Sequence, residues 1–206
     1  MKKVVTVLLA AGTGKRLGGP KALLAWPTGK GTDRPLAIAH AEERLAHESG
    51  RVLVVTRGPV VLALLGYVRP GIDILSSDAA DDLGPAGSLA FAAPRLGDAE
   101  VVIVTPVDTP PARAATVQKL IARLEGDPSL LAVRPSTHGR AGHPVALRPS
   151  VLKRYLEPSP PPLRDHLHAL GAACVDEEVN DTAVLLDINT PADVMGILNR
   201  LPKFLG

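Results

Sequence analysis

The sequence predicts an α/β fold: one Rossmann-like domain with a mainly parallel, mixed sheet and helices on both faces. Two observations carry that reading. Val4-Val5-Thr6-Val7-Leu8-Leu9, Val52-Leu53-Val54-Val55-Thr56 and Val101-Val102-Ile103-Val104 are continuous apolar, β-branched runs, the pattern of strands covered on both faces. Amphipathic stretches at about residues 35–48, 86–95 and 112–125 fall between such runs. Strand–helix alternation of this kind argues for parallel strands joined by crossover helices.

The remaining elements follow in chain order. Ile72-Asp73-Ile74-Leu75 and Leu130-Leu131-Ala132-Val133 are a fourth and fifth strand, each with a weaker pattern. Gly142-His143-Pro144-Val145-Ala146-Leu147 reads as another strand, followed by a proline-rich loop at 158–162. Leu163, His166, Leu167 and Leu170 recur at spacings of three and four, which predicts a helix. Ala172, Ala173 and Val175 flank Cys174 as in a strand, so its thiol is expected to be buried and structural. Ala183-Val184-Leu185-Leu186-Asp187-Ile188 predicts a last strand. Thr190 then caps a final helix, with Pro191 in its first turn. No repeat, transmembrane span or domain boundary is visible, and residues 1–206 are expected to form a single domain.

Composition narrows the function. With 46% apolar and 21% charged residues, a chain of 206 residues can bury one sizeable core. Only five residues are aromatic, so Leu, Val, Ile and Ala must build that core, and the stacking platforms of single-strand binders are missing. A formal net charge of +2 without a Lys–Arg block argues against a nucleic-acid or membrane surface. The single cysteine, Cys174, cannot form an internal disulfide, which fits a reducing compartment. Met1-Lys2-Lys3 and the apolar run after it look superficially like a signal peptide. The run is short, however, and leads into glycines and charges rather than a cleavage site. A cytoplasmic protein is expected, as a monomer or small homo-oligomer.

The first strand runs into Leu9-Ala10-Ala11-Gly12-Thr13-Gly14-Lys15-Arg16-Leu17-Gly18-Gly19-Pro20-Lys21. Glycines let a backbone approach phosphate closely and turn its amides inward as donors. Lys15, Arg16 and Lys21 bring three positive charges to the same loop, so phosphate binding is the natural reading. Neither common phosphate motif fits. A Walker loop needs Gly-Lys-Ser/Thr where Leu17-Gly18-Gly19 stands. A dinucleotide fingerprint starting at Gly12 needs a third glycine where Leu17 stands, and Asp33 falls in a loop rather than at the end of a second strand.

The segment resembles the opening of the molybdenum cofactor nucleotidyltransferase-like family, Leu-Ala-Ala-Gly-x-x-x-Arg-x-Gly-x-x-Lys, through Leu9, Ala10, Ala11, Gly12, Arg16, Gly18 and Lys21. Pro20-Lys21-Ala22-Leu23-Leu24 is similar to its cytidylyltransferase branch; the guanylyltransferase branch more often has two glycines at Ala11-Gly12. Later segments match in order. Leu83-Gly84-Pro85-Ala86-Gly87-Ser88-Leu89 resembles the loop that touches base and ribose, with an ordinary helix start as the other reading of Ser88. Thr105-Pro106-Val107-Asp108-Thr109-Pro110 ends a strand where ligands of parallel sheets bind. The resemblance makes Asp108 a metal ligand, although Pro106-Val107 replace the glycine usual just before it. Gly139-Arg140-Ala141-Gly142-His143-Pro144-Val145 resembles the acceptor-side segment, in which His143 is a contact or loop-shaping residue rather than a base. Leu185-Leu186-Asp187-Ile188-Asn189-Thr190-Pro191 resembles the closing motif, with Asp187 near the metal and Asn189 in place of a second aspartate. His166 and His168, two apart on a helix, point in different directions and form no metal pair.

The resemblance implies a GT-A-like nucleotidyltransferase fold with a nucleotide-binding half at about 1–110 and an acceptor-binding half at about 111–200. It implies transfer of a nucleotidyl group, CMP from CTP by the branch features, onto a phosphorylated small molecule such as molybdopterin, with pyrophosphate released. Arg16, Lys21 and Asp108 are then catalytic. Leu9, Ala10, Ala11, Gly12, Thr13, Gly14, Lys15, Gly84 and Ser88 join them in binding nucleotide. Gly142, His143 and Pro144 bind the acceptor, and Asp108 and Asp187 hold Mg2+, with Mn2+ as a substitute. A sugar phosphate or another phosphorylated metabolite is the alternative acceptor, decided by the pocket between His143 and residues 158–168. A nucleotide-binding regulatory module without catalysis is the alternative of a different class. Arg16, Lys21, Asp108 and Asp187 together argue against it, since a binding-only site has no need of metal ligands. The stretch at 27–34 is longer and more polar than the resemblance explains.

Overall fold

The computed structural model describes residues 3–29, 31–77 and 80–206, with residues 80–83 described by backbone alone. The strands are β1 (Val4–Leu9), β2 (Ala25–Pro27), β3 (Asp33–Pro35), β4 (Arg51–Thr56), β5 (Ile72–Ser76), β6 (Val101–Pro106), β7 (Ala132–Thr137), β8 (Arg140–Ala141), β9 (Val145–Leu147) and β10 (Cys174–Glu178). The α-helices are α1 (Leu36–His47), α2 (Gly58–Leu65), α3 (Ala80–Ala92), α4 (Ala114–Gly126), α5 (Leu163–Ala169) and α6 (Pro191–Leu198).

Eight strands form one sheet in the order β10–β7–β9–β6–β1–β4–β5, with β8 on β7. β5, β4, β1 and β6 are mutually parallel, as are β10 and β7. Only β9, between β6 and β7, and the short β8 run antiparallel. The mainly parallel, mixed sheet is the one expected, and the β-branched runs explain it. Alternate residues of β1 bury themselves on opposite faces: Val5 and Val7 pack with Ala86, Leu89 and Leu167. Leu8 packs with Leu36, Ile38 and Leu64, and Val4 with Val117, Leu120 and Leu124. Helices therefore cover both faces, the arrangement that lets such strands dispense with a polar side.

The topology positions the site. β1 pairs β4 on one edge, with Leu9 opposite Val55, and β6 on the other, with Leu9 opposite Pro106. The chain thus moves outward from β1 to β5 and returns across it to β6. This reversal opens a crevice beyond the carboxyl ends of β1 and β6, where the glycine loop and Asp108 emerge.

Several expectations need correction. Residues 183–188 form no strand: a 3-10 turn covers Thr182–Leu185, capped by the Asp181 side chain, and Ile188 N donates to Asp108 O at 2.6 Å instead of joining the sheet. The fifth strand begins later than its apolar run, at Ala132, and Cys174 opens β10 only partly buried. The helix expected from residue 86 starts in the 80s and is broken at Gly84, whose φ of 56° is non-helical. α2 was not expected. The polar stretch at 27–34 closes a two-stranded ribbon of β2 and β3, which Arg200 ties to the C-terminal segment through Asp33 (2.9 and 3.1 Å). Thr190 caps α6 as expected, in a reciprocal box with Asp193. Among the described residues, no helix is long and apolar enough to cross a membrane.

Candidate active site

The loop after β1 is shaped by Gly14. Its φ is 64°, and its carbonyl accepts the amides of Leu17, Gly18 and Gly19 at 2.9, 3.1 and 3.3 Å. A Cβ there would lie 1.9 Å from Gly19 O, so only glycine fits. Leu17 is buried with Leu8, Ala22 and Leu24, which pins the loop to the core, and Phe204 packs on Gly19 from the other side. The amides of residues 12–16 are not among the three that Gly14 O accepts.

Lys21 is held at the crevice. Its Nζ donates to Asp108 Oδ2 at 3.0 Å and to Asn189 Oδ1 at 2.8 Å, while Arg16 Nη2 approaches Asn189 Oδ1 at 3.4 Å. Three segments far apart in sequence meet here. The Ile188–Asp108 backbone bond brings Asp187 next to the Asp108 loop.

His40 supports that loop from behind. It is buried on α1, and its Nε2 lies 2.8 Å from Thr109 O, to which it donates. Burial pushes its pKa down to about 4, against an ordinary value of 6.5. As pH falls, the unfolded chain takes up this proton first. The stabilising contribution is thus complete above about pH 6.5 and is lost between about 6.5 and 4. His40→Gln keeps a donor for Thr109 and removes the titration. It is expected to cut the acid-induced loss of unfolding free energy by about 3 kcal/mol between about pH 7.5 and pH 4, measured by denaturant melts. An unaltered pH profile would show that His40 protonates as freely folded as unfolded.

The far wall is built by Gly142, His143 and the cis-bonded Pro144. His143 N donates to Val184 O at 3.0 Å, and a Cβ on Gly142 would lie 2.0 Å from the same oxygen, so this approach also requires glycine. Burial lowers the His143 pKa, opposed by the carboxylates of Asp108 and Asp187 and assisted by Arg134. Burial thus favours the neutral imidazole, and its Nδ1 is buried without a hydrogen-bond partner.

These walls enclose a cleft of about 830 Å³. Of the residues singled out from sequence, Leu9, Ala11, Gly12, Lys21, Gly84, Ser88, Asp108, Gly142 and His143 line it. Ala10, Pro144, Gly14, Thr13, Lys15, Arg16 and Asp187 are not part of that lining: Ala10 and Pro144 are buried, Gly14 shapes the loop, and Thr13, Lys15, Arg16 and Asp187 are exposed. Arg57, Arg134 and Arg164 line it as well, and no motif pointed to them. Arg57 follows β4, and its Nε donates to Ala11 O; the topology that brings the end of β4 beside β1 was the available signal. Pro160, Pro162, Leu163 and Leu167 form an apolar wall opposite His143. Among the described residues, no group of three or more His, Cys, Asp or Glu side chains could hold a metal alone.

The chain is similar to several known proteins. The family model described as the MobA-like NTP transferase domain matches residues 6–179. A molybdenum cofactor guanylyltransferase of Acidiphilium cryptum (strain JF-5) is 33% identical over 205 residues, covering 91% of this chain and 90% of its own. The crystal structure of a homologue of Mycobacterium tuberculosis Rv0371c from Mycobacterium sp. strain JC1 superimposes with a TM-score of 0.74 at 27% identity, covering 95% of each chain. Rv0371c itself, in a complex with manganese, gives 0.72 at 18% identity and covers 97% of this chain and 99% of its own.

Proposed function

The chain belongs to the MobA-like NTP transferase family and is a nucleotidyltransferase; on that premise we propose that it transfers GMP from GTP to molybdopterin, releasing pyrophosphate. The observation that carries the site assignment is Lys21 Nζ, held between Asp108 and Asn189 beside a glycine loop at the sheet's reversal point. The base follows the name of the Acidiphilium relative, a molybdenum cofactor guanylyltransferase that matches over nine-tenths of both chains, and molybdopterin is our reading of the acceptor within that cofactor. Transfer from CTP, expected from sequence, is the second reading. Ala11, which lines the cleft where guanylyltransferases more often carry glycine, favours it. We read residues 1–206 as one domain, a division that the continuous sheet supports, with the nucleotide in the half before about residue 110 and the acceptor beyond it.

An acceptor phosphate oxygen attacks the α-phosphorus in line. The new P–O bond forms as the bond to the bridging oxygen breaks, and pyrophosphate leaves with that electron pair. Loop amides, Arg16 and Lys21 hold the triphosphate and offset the charge that gathers on the leaving group. Gly84 and Ser88 contact base and ribose, and Gly142, His143 and Pro144 position the acceptor, with His143 hydrogen-bonding as a neutral imidazole. Asp108 and Asp187, whose chain segments the Ile188–Asp108 backbone bond ties together, would hold a divalent cation, since one or two carboxylates with substrate oxygens are the donor set Mg2+ commonly takes. Bound there, Mg2+ or Mn2+ supplies charge neutralisation of the phosphates.

Incubation with magnesium and each of GTP, CTP, ATP and UTP, with and without molybdopterin, tests the reading by pyrophosphate release. Release with GTP that requires the pterin is expected. Release with CTP alone would move the second reading to first place, and release that ignores the pterin would overturn the acceptor.

A further inference from the structure

The geometry points to Asn189 as the positioning residue for Lys21: a neutral oxygen that aims its ammonium at a triphosphate without neutralising it. This rests on the nucleotidyltransferase reading of the site. Asn189 is presented by a rigid element. Its backbone N donates to Asp193 Oδ2 at 2.9 Å, and the same carboxylate oxygen accepts Thr190 N at 2.7 Å and Thr190 Oγ1 at 2.9 Å. This capping box and Pro191 fix the start of α6, so the carboxamide projects from a braced helix start rather than a loose loop.

The single oxygen Asn189 Oδ1 receives Lys21 Nζ at 2.8 Å and, more weakly, Arg16 Nη2 at 3.4 Å, from chain positions 168 and 173 residues away. Among the described residues Lys21 has one other acceptor, Asp108 at 3.0 Å. Without Asn189 the ammonium would lean on Asp108 alone, a carboxylate that the metal–nucleotide complex also requires. An aspartate at 189 would hold the lysine more strongly, but would add a third carboxylate beside Asp108 and Asp187 and oppose the triphosphate. A carboxamide accepts the bond and leaves the positive charge unspent.

The test compares Asn189→Ala, Asn189→Asp, Lys21→Ala and the double variant Lys21→Ala/Asn189→Ala, all in the full chain. Pyrophosphate release gives KM and kcat, and calorimetry gives affinity for the nucleoside triphosphate and for the monophosphate. Asn189→Ala is expected to raise KM for the triphosphate about fivefold or more, with kcat changed less, and Asn189→Asp about tenfold or more. Monophosphate affinity is expected to hold, and Asn189→Ala is expected to add little in the Lys21→Ala background, since coupled residues are non-additive. Additive effects, equal loss of mono- and triphosphate affinity, or wild-type triphosphate binding by Asn189→Asp would each overturn the role of Asn189 while leaving the enzyme reading intact. A wild-type protein that binds no triphosphate would overturn both. If Asn189→Ala fails to fold, the isosteric Asn189→Asp carries the test.

Discussion

Asp108→Ala is expected to lower kcat/KM for nucleotidyl transfer by roughly 10²–10³-fold, with the melting temperature nearly unchanged. The carboxylate sits at the carboxyl end of β6, one-third exposed, and its side-chain bond runs to Lys21. The loop around it is held instead by backbone and neighbours: Ile188 N on Asp108 O, and His40 on Thr109 O. Removing the side chain therefore takes charge from the site without taking support from the fold. Asp108→Asn separates charge from shape, since it keeps an acceptor for Lys21, and its loss is expected to be nearly as large. Steady-state kinetics beside thermal melts reads both effects, and an asparagine variant of wild-type activity would show that the charge is not used.

Gly14→Ala is expected to abolish triphosphate binding at concentrations that saturate the wild type, a loss of about 100-fold or more, in a protein that still folds. The substitution faces two obstacles. A φ of 64° costs an L-residue about 1–2 kcal/mol, and the new methyl would meet Gly19 O at 1.9 Å, which backbone cannot yield without unmaking the turn. The turn's three amides then lose Gly14 O, and Lys21, two residues after Gly19, loses its approach to Asp108. The core beneath rests on Leu8, Leu17 and Leu24, so the melting temperature is expected to fall only a few degrees. Calorimetry against the triphosphate, with a melt as control, reads the outcome; full affinity would mean that the loop accepts another path.

The parts of this molecule that were legible in sequence are those whose signal is local. Val4–Leu9 and Val101–Val104 carry the pattern of strands buried on both faces, and Thr190-Pro191 is a helix start readable in two residues, to which the structure adds the Asp193 box. Leu9 to Lys21 could be read as a loop after the first strand through its own glycines, and Gly14 shapes that loop. What stayed hidden depends on tertiary partners. Residues 183–188 carry a strand's composition, but Ile188 N finds Asp108 O and the segment never reaches the sheet. The ribbon of β2 and β3 is polar because it packs at the rim, tied by Arg200 to Asp33 across 167 positions. Asn189 looked like a lost carboxylate, and its contact with Lys21 appears only once distant segments meet. Arg57, Arg134 and Arg164 stand in no motif, because the strand order and the 158–168 segment bring them to the cleft.

On the proposed reading, this site moves a nucleotidyl group onto a phosphorylated acceptor. Mass spectrometry of molybdopterin recovered after incubation with GTP, magnesium and the protein tests it most directly. The account predicts a product heavier by one GMP unit, formed in equal amount with pyrophosphate. Consumption of GTP with an unmodified pterin, or with inorganic phosphate as the released product, would contradict it.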